Sequence, residues 1–203
     1  MKMKFKTYIL KTCLLIFCFY GCGKRNFFPD PDDPGLSILS SKGFNVATSY
    51  INDTPYINPK RNSLFGVLND TLNLSKIVTN GSSDTLSFSW PIELNKGDDT
   101  FYNAPYQRIA LLMPVAKSFT IRDLLALNGQ QLNANTNSVV LFSNNKILSG
   151  TSNIYFVRIN WNLSNSTKNQ IIISGLFNAN IGDSIFITKG RFDFLVSTDN
   201  LNF

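Results

Sequence analysis

A strict alternation of apolar and polar side chains near the end of the chain constrains the fold more than any other feature. The apolar positions are Tyr155, Val157, Ile159, Trp161 and Leu163. Successive side chains of a strand point to opposite faces, so this pattern predicts a β-strand over residues 154–163 with one buried face. We expect Tyr155, Val157, Ile159 and Trp161 to face the core. From Arg158 onward we expect the other face to be wet, because unpaired polar groups are costly to bury.

Two more apolar segments, residues 170–179 and 184–196, follow this strand after short polar turns. Gly190 lies inside the second segment, where a glycine is typical of a β-bulge. Together the three segments predict an antiparallel meander. In this meander we expect three apolar side chains to lie beside the buried face of the first strand: Ile171, Ile173 and Phe177.

The rest of the domain shows short apolar segments that alternate with turns. The dipeptide Asn80-Gly81 separates two of them and favours a hairpin. Thr120-Ile-Arg-Asp123 begins the one helical pattern, which ends at Asn128-Gly129. Many short strands with one short helix predict an all-β fold, an antiparallel β-sandwich that forms a single domain over residues 43–203.

The first 21 residues have the composition of an export signal. Lys2, Lys4 and Lys6 precede an uncharged run over residues 12–20. A positive start followed by a short apolar stretch is typical of a secretory signal peptide. A membrane-spanning helix needs about 20 apolar residues, and Lys11 prevents this run from reaching that length. We therefore predict a signal peptide over residues 1–21.

The end of this segment resembles the bacterial lipobox, in which a leucine-like residue and two small residues precede a cysteine. Gly21 and Cys22 match the pattern, whereas Phe19 and Tyr20 are bulkier than it prefers. The resemblance implies cleavage before Cys22, attachment of lipid to that cysteine and a location at the outer membrane. Either the periplasmic or the cell-surface side is compatible with it.

Residues 22–42 are interpreted as the lipidated cysteine and a tether. The segment Phe28-Pro-Asp-Pro-Asp-Asp-Pro-Gly35 combines prolines with acidic residues, and both features favour an extended spacer. The alternative is a calcium loop formed by Asp30, Asp32 and Asp33. Their spacing departs from the usual calcium-binding pattern, and the prolines oppose a tight coordinating loop.

Composition limits the chemistry that the domain can perform. The chain has no histidine, and Cys22 is the last of its cysteines. The domain after Cys22 therefore lacks the commonest general acid–base residue, a thiolate nucleophile and the histidine and cysteine ligands of zinc. We therefore predict a non-enzymatic domain that folds without metal, cofactor or disulfide. A hydrolase that uses converging aspartates is the alternative. Without the predicted signal, 15 basic residues face 13 acids, a charge of +2 that indicates no nucleic-acid partner.

Two segments resemble the ends of a group of small Bacteroidota lipoproteins of unknown function. One is Gly43-Phe-Asn-Val-Ala-Thr-Ser-Tyr-Ile-Asn52 with Pro55-Tyr56; the other is Ser174-Gly-Leu-Phe-Asn-Ala179 with Ile185-Phe-Ile-Thr-Lys-Gly-Arg-Phe-Asp193. Asn178 stands where the group has a second aromatic residue. The resemblance implies a β-sandwich on a lipid anchor and supplies no catalytic residue or ligand.

Three tripeptides resemble the Asp-Ser/Thr-apolar acceptor for O-glycosylation in exported Bacteroidota proteins. The acceptor residues are Thr71, Thr85 and Ser184. The resemblance implies that these hydroxyls are modification sites. Asp followed by Ser or Thr also commonly opens a strand after a turn, and this alternative stays open.

Exposed aromatic residues are the remaining candidates for a binding site. Trp90 precedes Pro91 and lies near a polar loop that contains Tyr102 and Tyr106. These three side chains are candidates for ligand stacking, which favours a glycan-binding accessory protein of a polysaccharide uptake system as the alternative function. The leading hypothesis is an interaction module. Its partners would be the membrane, through the lipid anchor, and a glycan or another envelope protein.

Overall fold

The structure, a computed structural model, describes residues 28–58, 60–63, 66–69, 72–95, 106–143, 146–163 and 169–201. The predicted signal peptide, Cys22, Thr71 and Tyr102 lie outside the described residues. Thirteen strands, one α-helix and one 3-10 turn are present in the described part. The strands are β1 Val46–Ile51, β2 Thr54–Ile57, β3 Lys60–Ser63, β4 Gly66–Asn69, β5 Asn73–Ile77, β6 Asp84–Pro91, β7 Glu93–Leu94, β8 Tyr106–Val115, β9 Gln131–Leu132, β10 Ser138–Ser143, β11 Lys146–Trp161, β12 Gln170–Ile181 and β13 Ile185–Ser197.

Eleven strands form one antiparallel sheet that curls into a half-barrel. Its order is β5-β6-β8-β10-β11-β12-β13-β1-β2-β7, with β9 paired to β11, while β3 and β4 form a separate pair. Strands β6 and β7 lie toward opposite ends of this order, although only Ile92 separates them in sequence. The prediction of an all-β antiparallel fold with one short helix is confirmed. Two separate stacked sheets are not confirmed, because the pairing is continuous from β5 to β7.

The core lies on the inner face of the curled sheet and is rich in aromatic side chains. Trp90 on β6 packs against three phenylalanines of β12 and β13, with ring centroids 5.7 Å from Phe177, 5.8 Å from Phe192 and 5.7 Å from Phe194. Aromatic pairs at this separation stabilise a core beyond their buried area. These contacts join opposite walls of the half-barrel.

The predicted meander β11–β13 is present, but the facing of β11 is partly wrong. A register shift between Phe156 and Arg158 places an extra residue, Val157, in the strand. Before this bulge Ile154 and Phe156 are buried and Tyr155 is 41% exposed. Such a bulge exchanges the faces of the strand. The prediction for Tyr155 is therefore wrong, because the alternation in sequence does not continue through the bulge.

Beyond the bulge the predicted facing is recovered. Ile159 is buried opposite Ile173, and Ile171 and Phe177 are also buried, as predicted. Trp161 lies opposite Ile171 but is 37% exposed, so the prediction that it belongs to the buried core is wrong. Trp161 is the last residue of β11.

Gly190 lies next to a bulge rather than forming it. Phe177 pairs with Gly190 and Ala179 pairs with Ile187, so one residue of β12 faces two residues of β13. Thr188 and Lys189 are the two residues of β13 that face Asn178 of β12. Lys189 has a φ of 49°, which is in the left-handed region. The side-chain oxygen of Asn178 accepts a hydrogen bond from the Lys189 N–H at 3.0 Å. The bulge prediction is therefore displaced by one residue.

The short helix α1 spans Ile121–Ala126, as the sequence predicts. The carboxylate of Asp123 accepts hydrogen bonds from the Thr120 N–H at 2.8 Å and from its hydroxyl at 2.7 Å. These bonds cap the N-terminus of α1. Gly129 has a φ of 72°, which ends the helical turn. Leu124 is fully buried and fixes α1 to the core.

Candidate functional site

The segment before β1 lies on the outer face of the sheet, and we call residues 28–45 the N-terminal arm. Pro29 and Ser37 form an isolated antiparallel bridge, so the arm folds back on itself. Leu36 is completely buried and Ser37 nearly so. The prediction of a tether does not hold for residues 28–42, because this part of the chain is packed against the domain. The proline-rich sequence favours an extended conformation but does not reveal this docking.

Arg191 on β13 is the main contact for the tip of the arm. Its guanidinium forms ion pairs with Asp30 and Asp33 and donates a hydrogen bond to the Ser37 carbonyl at 2.6 Å. Lys189 forms a second ion pair with Asp33. The planar guanidinium can bind two acceptors at once, which a single ammonium group cannot do with the same geometry. The acidic residues of the arm therefore act as ligands for basic residues of β13.

The base of the arm is held by a buried carboxylate. Asp193 accepts hydrogen bonds from the backbone N–H groups of Lys42, Gly43 and Phe44 at 3.2, 2.8 and 3.1 Å. Asp193 is only 1% exposed. A carboxylate with several backbone donors is well compensated for its burial. Asp193 therefore fixes the path of the chain just before β1.

Arg158 on β11 adds a third basic contact from the sheet to the arm. Its guanidinium donates a hydrogen bond to the Ser41 carbonyl at 2.9 Å, and the residue is half-buried. The prediction that this face of β11 is wet is confirmed at Asn160, which is exposed, whereas the arm partly covers Arg158. The arm supplies the missing hydrogen-bond partner, so the residue can be partly covered without an unpaired charge.

The electrostatics of the arm agree with this geometry. The pKa of Asp30 is lowered below its ordinary 3.8, mainly by the N–H of Asp32 and then by Arg191. The pKa of Lys189 is raised above its ordinary 10.5, chiefly by the hydrogen bond to Asp33. In the described part of the chain, no cluster of three acidic, histidine or cysteine side chains could hold a metal ion. Of the three residues of the calcium alternative, Asp30 and Asp33 instead pair with Arg191 and Lys189.

Three large apolar side chains of the arm remain open to solvent. Phe28, Ile38 and Leu39 are 42%, 40% and 39% exposed. The Ile38 N–H donates to the Phe28 carbonyl at 2.8 Å, and the Phe28 ring lies 5.6 Å from that of Phe44. We call Phe28, Ile38 and Leu39 the arm patch. Its first residue, Phe28, follows the predicted lipid attachment site Cys22 by six positions.

The predicted stacking residues do not form an exposed aromatic surface. Trp90 is only 2% exposed and belongs to the core, so its prediction as a ligand-stacking residue is wrong. Tyr106 is half-buried, with its ring centroid 6.1 Å from that of Tyr56. Tyr102 lies outside the described residues. Trp90 is buried because its ring packs on the inner face of the curled sheet against Phe177, Phe192 and Phe194.

The candidate modification sites differ in accessibility. Ser184 is exposed in the turn between β12 and β13. Thr85 is half-buried on β6, which pairs with strands on both sides. Thr71 lies outside the described residues. O-glycosylation at Ser184 stays a prediction with an accessible hydroxyl, whereas Thr85 would need the sheet to open locally.

Sequence reasoning missed a group of exposed side chains on the outer face of β11–β13. Tyr155 is 41% and Phe186 is 47% exposed. Between them, Asn153 lies opposite Asn178, and Asn180 lies opposite Phe186. All three asparagines are exposed. The bulge at Val157 turns Tyr155 outward, and no pattern in the sequence predicts this bulge.

A shallow open cavity lies beside the start of α1. Its volume is about 720 Å³, and its lining includes Thr120, Arg122, Asp123 and Leu201. The Asp123 carboxylate is occupied by the helix cap, and its pKa is lowered chiefly by the hydrogen bond from Thr120. This cavity therefore presents no converging pair of acid–base groups.

In the part of the chain that the structure describes, no helix combines the length and apolar character needed to cross a membrane. Comparisons with protein-family models, with curated proteins and with solved structures found no match to this chain.

Proposed function

We propose that this chain is an exported envelope protein, anchored by lipid at Cys22, whose domain acts as a non-enzymatic interaction module at the outer membrane. The observation that carries this proposal is the position of Cys22, directly after the apolar run and six positions before the docked residue Phe28. Lipid on Cys22 would thus hold a folded domain close to the membrane. The resemblance to small Bacteroidota lipoproteins supports the lipid anchor.

The roles of the carboxylates support a non-enzymatic domain. Asp30 and Asp33 pair with Arg191, Asp193 binds backbone N–H groups, and Asp123 caps α1. Each of these groups is engaged in holding the structure together. A hydrolase would need two carboxylates that converge on a cleft at about 5–10 Å. The chain also lacks histidine, which is the commonest general base.

Metabolic labelling with a fatty acid tests the anchor. The wild-type protein should incorporate the label, and Cys22→Ala should abolish incorporation. Cys18→Ala is the matched control, because it removes a thiol from the apolar run without touching the predicted attachment site. Continued labelling of the Cys22→Ala variant would refute lipid attachment at Cys22.

A second candidate function, glycan binding, is favoured by the exposed aromatic and amide side chains on β11–β13. Aromatic rings provide apolar faces for sugar rings, and asparagine amides both donate and accept hydrogen bonds. Tyr155 and Phe186 would be the stacking residues. If the domain binds a soluble polysaccharide in affinity electrophoresis, Tyr155→Ala and Phe186→Ala should weaken the retardation. Ile147→Ala changes an exposed side chain elsewhere and should leave it unchanged.

A further inference from the structure

The lipid anchor and the arm patch are joined by a very short piece of chain. Five residues, 23–27, separate Cys22 from Phe28. Even a fully extended chain covers at most about 3.6 Å per residue, so the six steps from Cys22 to Phe28 span about 20 Å. An acylated Cys22 lies at the membrane surface. Phe28 therefore cannot lie farther than this short reach from the lipid headgroups, and Ile38 is held beside it by the hydrogen bond from its N–H to the Phe28 carbonyl.

We propose that the arm patch is a second membrane-contact site, which inserts Phe28, Ile38 and Leu39 into the headgroup region beside the lipid anchor. This inference rests on the proposed lipid attachment at Cys22. Aromatic and aliphatic side chains at an interface add apolar area to that of a lipid anchor.

The way the arm is held gives this contact a fixed direction. Ile38 and Leu39 follow Ser37, whose carbonyl accepts a hydrogen bond from Arg191. Four residues farther along, Gly43 is bound by the buried carboxylate of Asp193. The patch is therefore part of the folded domain and not of a free tether. A membrane contact through it would hold the half-barrel in one orientation relative to the bilayer.

Site-specific fluorescence on the lipidated full-length protein tests this contact. Acylation removes the Cys22 thiol, and Cys13 and Cys18 leave with the signal peptide, so Ile38→Cys introduces a single labelling site. The variant is labelled with an environment-sensitive fluorophore and reconstituted into vesicles of phosphatidylethanolamine and phosphatidylglycerol that contain a headgroup spin-labelled lipid. Ile147→Cys is the matched control, because Ile147 is 71% exposed. It lies eleven positions along β11 from the arm contact Arg158, which corresponds to about 35 Å of strand.

We expect the label at position 38 to shift to shorter wavelength and to be quenched at least twofold more strongly than the label at position 147. Leu39→Cys should repeat this result. Equal quenching at positions 38 and 147 in protein that floats with the vesicles would overturn the membrane contact and leave the anchor intact. In that case, shielding of position 38 in the intact envelope alone would indicate a protein partner. Protein that fails to float and carries no lipid would overturn the proposed function, and the membrane contact with it.

Discussion

Gly190 of β13 lies directly opposite Phe177 of β12, and the phenyl ring occupies the space that a side chain at position 190 would need. A Cβ atom added to Gly190 would lie 2.6 Å from Cδ1 and Cζ of Phe177. The same relation occurs in reverse at Gly175, where a Cβ atom would lie 2.5 Å from Cζ of Phe192. Two Gly-x-Phe sequences thus pair antiparallel, each glycine beneath the aromatic ring of the other strand.

This relation predicts that Gly190→Ala destabilises the fold. An added methyl group in a packed core costs about 1–3 kcal/mol of unfolding free energy. Gly81→Ala is the control, because its Cβ would have only ordinary contact, 3.5 Å from the Thr79 hydroxyl oxygen. Urea denaturation measures both. The double variant Gly190→Ala, Phe177→Leu should lose less unfolding free energy than the sum of the losses in the two single variants, because the smaller leucine side chain leaves room for the added methyl group. Strict additivity would contradict the steric explanation.

Loss of Arg191 should release the tip of the arm. Arg191→Met leaves Asp30 and Asp33 without their main partner, because it removes the guanidinium that pairs with both carboxylates. Hydrogen exchange should become fast at the arm amides around Leu36 and Ser37. Arg122→Met removes an exposed arginine from α1 and should leave exchange in the arm unchanged. Slow exchange of these amides in the Arg191→Met variant would show that the ion pairs do not hold the arm.

The arm should loosen at both extremes of pH. The folded-state pKa of Asp30 is below 3.8, so its contribution is complete above pH 3.8 and is lost as the pH falls through the folded-state value. The pKa of Lys189 is raised above 10.5, so its contribution is complete below pH 10.5 and is lost as the pH rises through the higher value. Arm proton resonances followed against pH report both changes. Asp30→Asn should weaken the acid transition, whereas Asp123→Asn, in the helix cap, should leave it in place.

The two tryptophans should differ in their contributions to stability. Trp90 is buried among Phe177, Phe192 and Phe194, so Trp90→Ala should cost about 3–5 kcal/mol. Trp161 is 37% exposed at the end of β11, and Trp161→Ala should cost about 1 kcal/mol, an average value for a single substitution. Chemical denaturation of the two variants gives the comparison. Equal losses would mean that the end of β11 is better covered than the structure shows.

Local patterns predicted β12, β13 and the helix, because their causes lie within a few residues, whereas β10 and the first half of β11 were not predicted. The capping sequence at Thr120 and the apolar runs of β8, β12 and β13 each specify their own element. The facing of β11 was harder, since the bulge at Val157 depends on its pairing with β12. A bulge changes which face every earlier residue occupies, and so a regular pattern in sequence gave the wrong position for Tyr155.

The arm and the curl of the sheet could not be predicted from sequence, because they depend on distant partners. Asp33 and Arg191 are 158 residues apart, and Gly43 and Asp193 are 150 apart. A Pro/Asp-rich segment has the same local preferences whether it is free or docked. Trp90 was misplaced for a related reason: the phenylalanines that cover it, Phe177, Phe192 and Phe194, lie far along the chain on β12 and β13.

Mass spectrometry of the protein purified from its native membrane tests the proposed lipid anchor most directly. We predict that the N-terminal peptide begins at Cys22 and carries the added mass of a diacylglyceryl group and an amide-linked fatty acid. Digestion should place this mass on Cys22 and on no other residue. A chain that begins at another residue, or an unmodified Cys22 at the N-terminus, would contradict the anchor and the orientation at the membrane inferred from it.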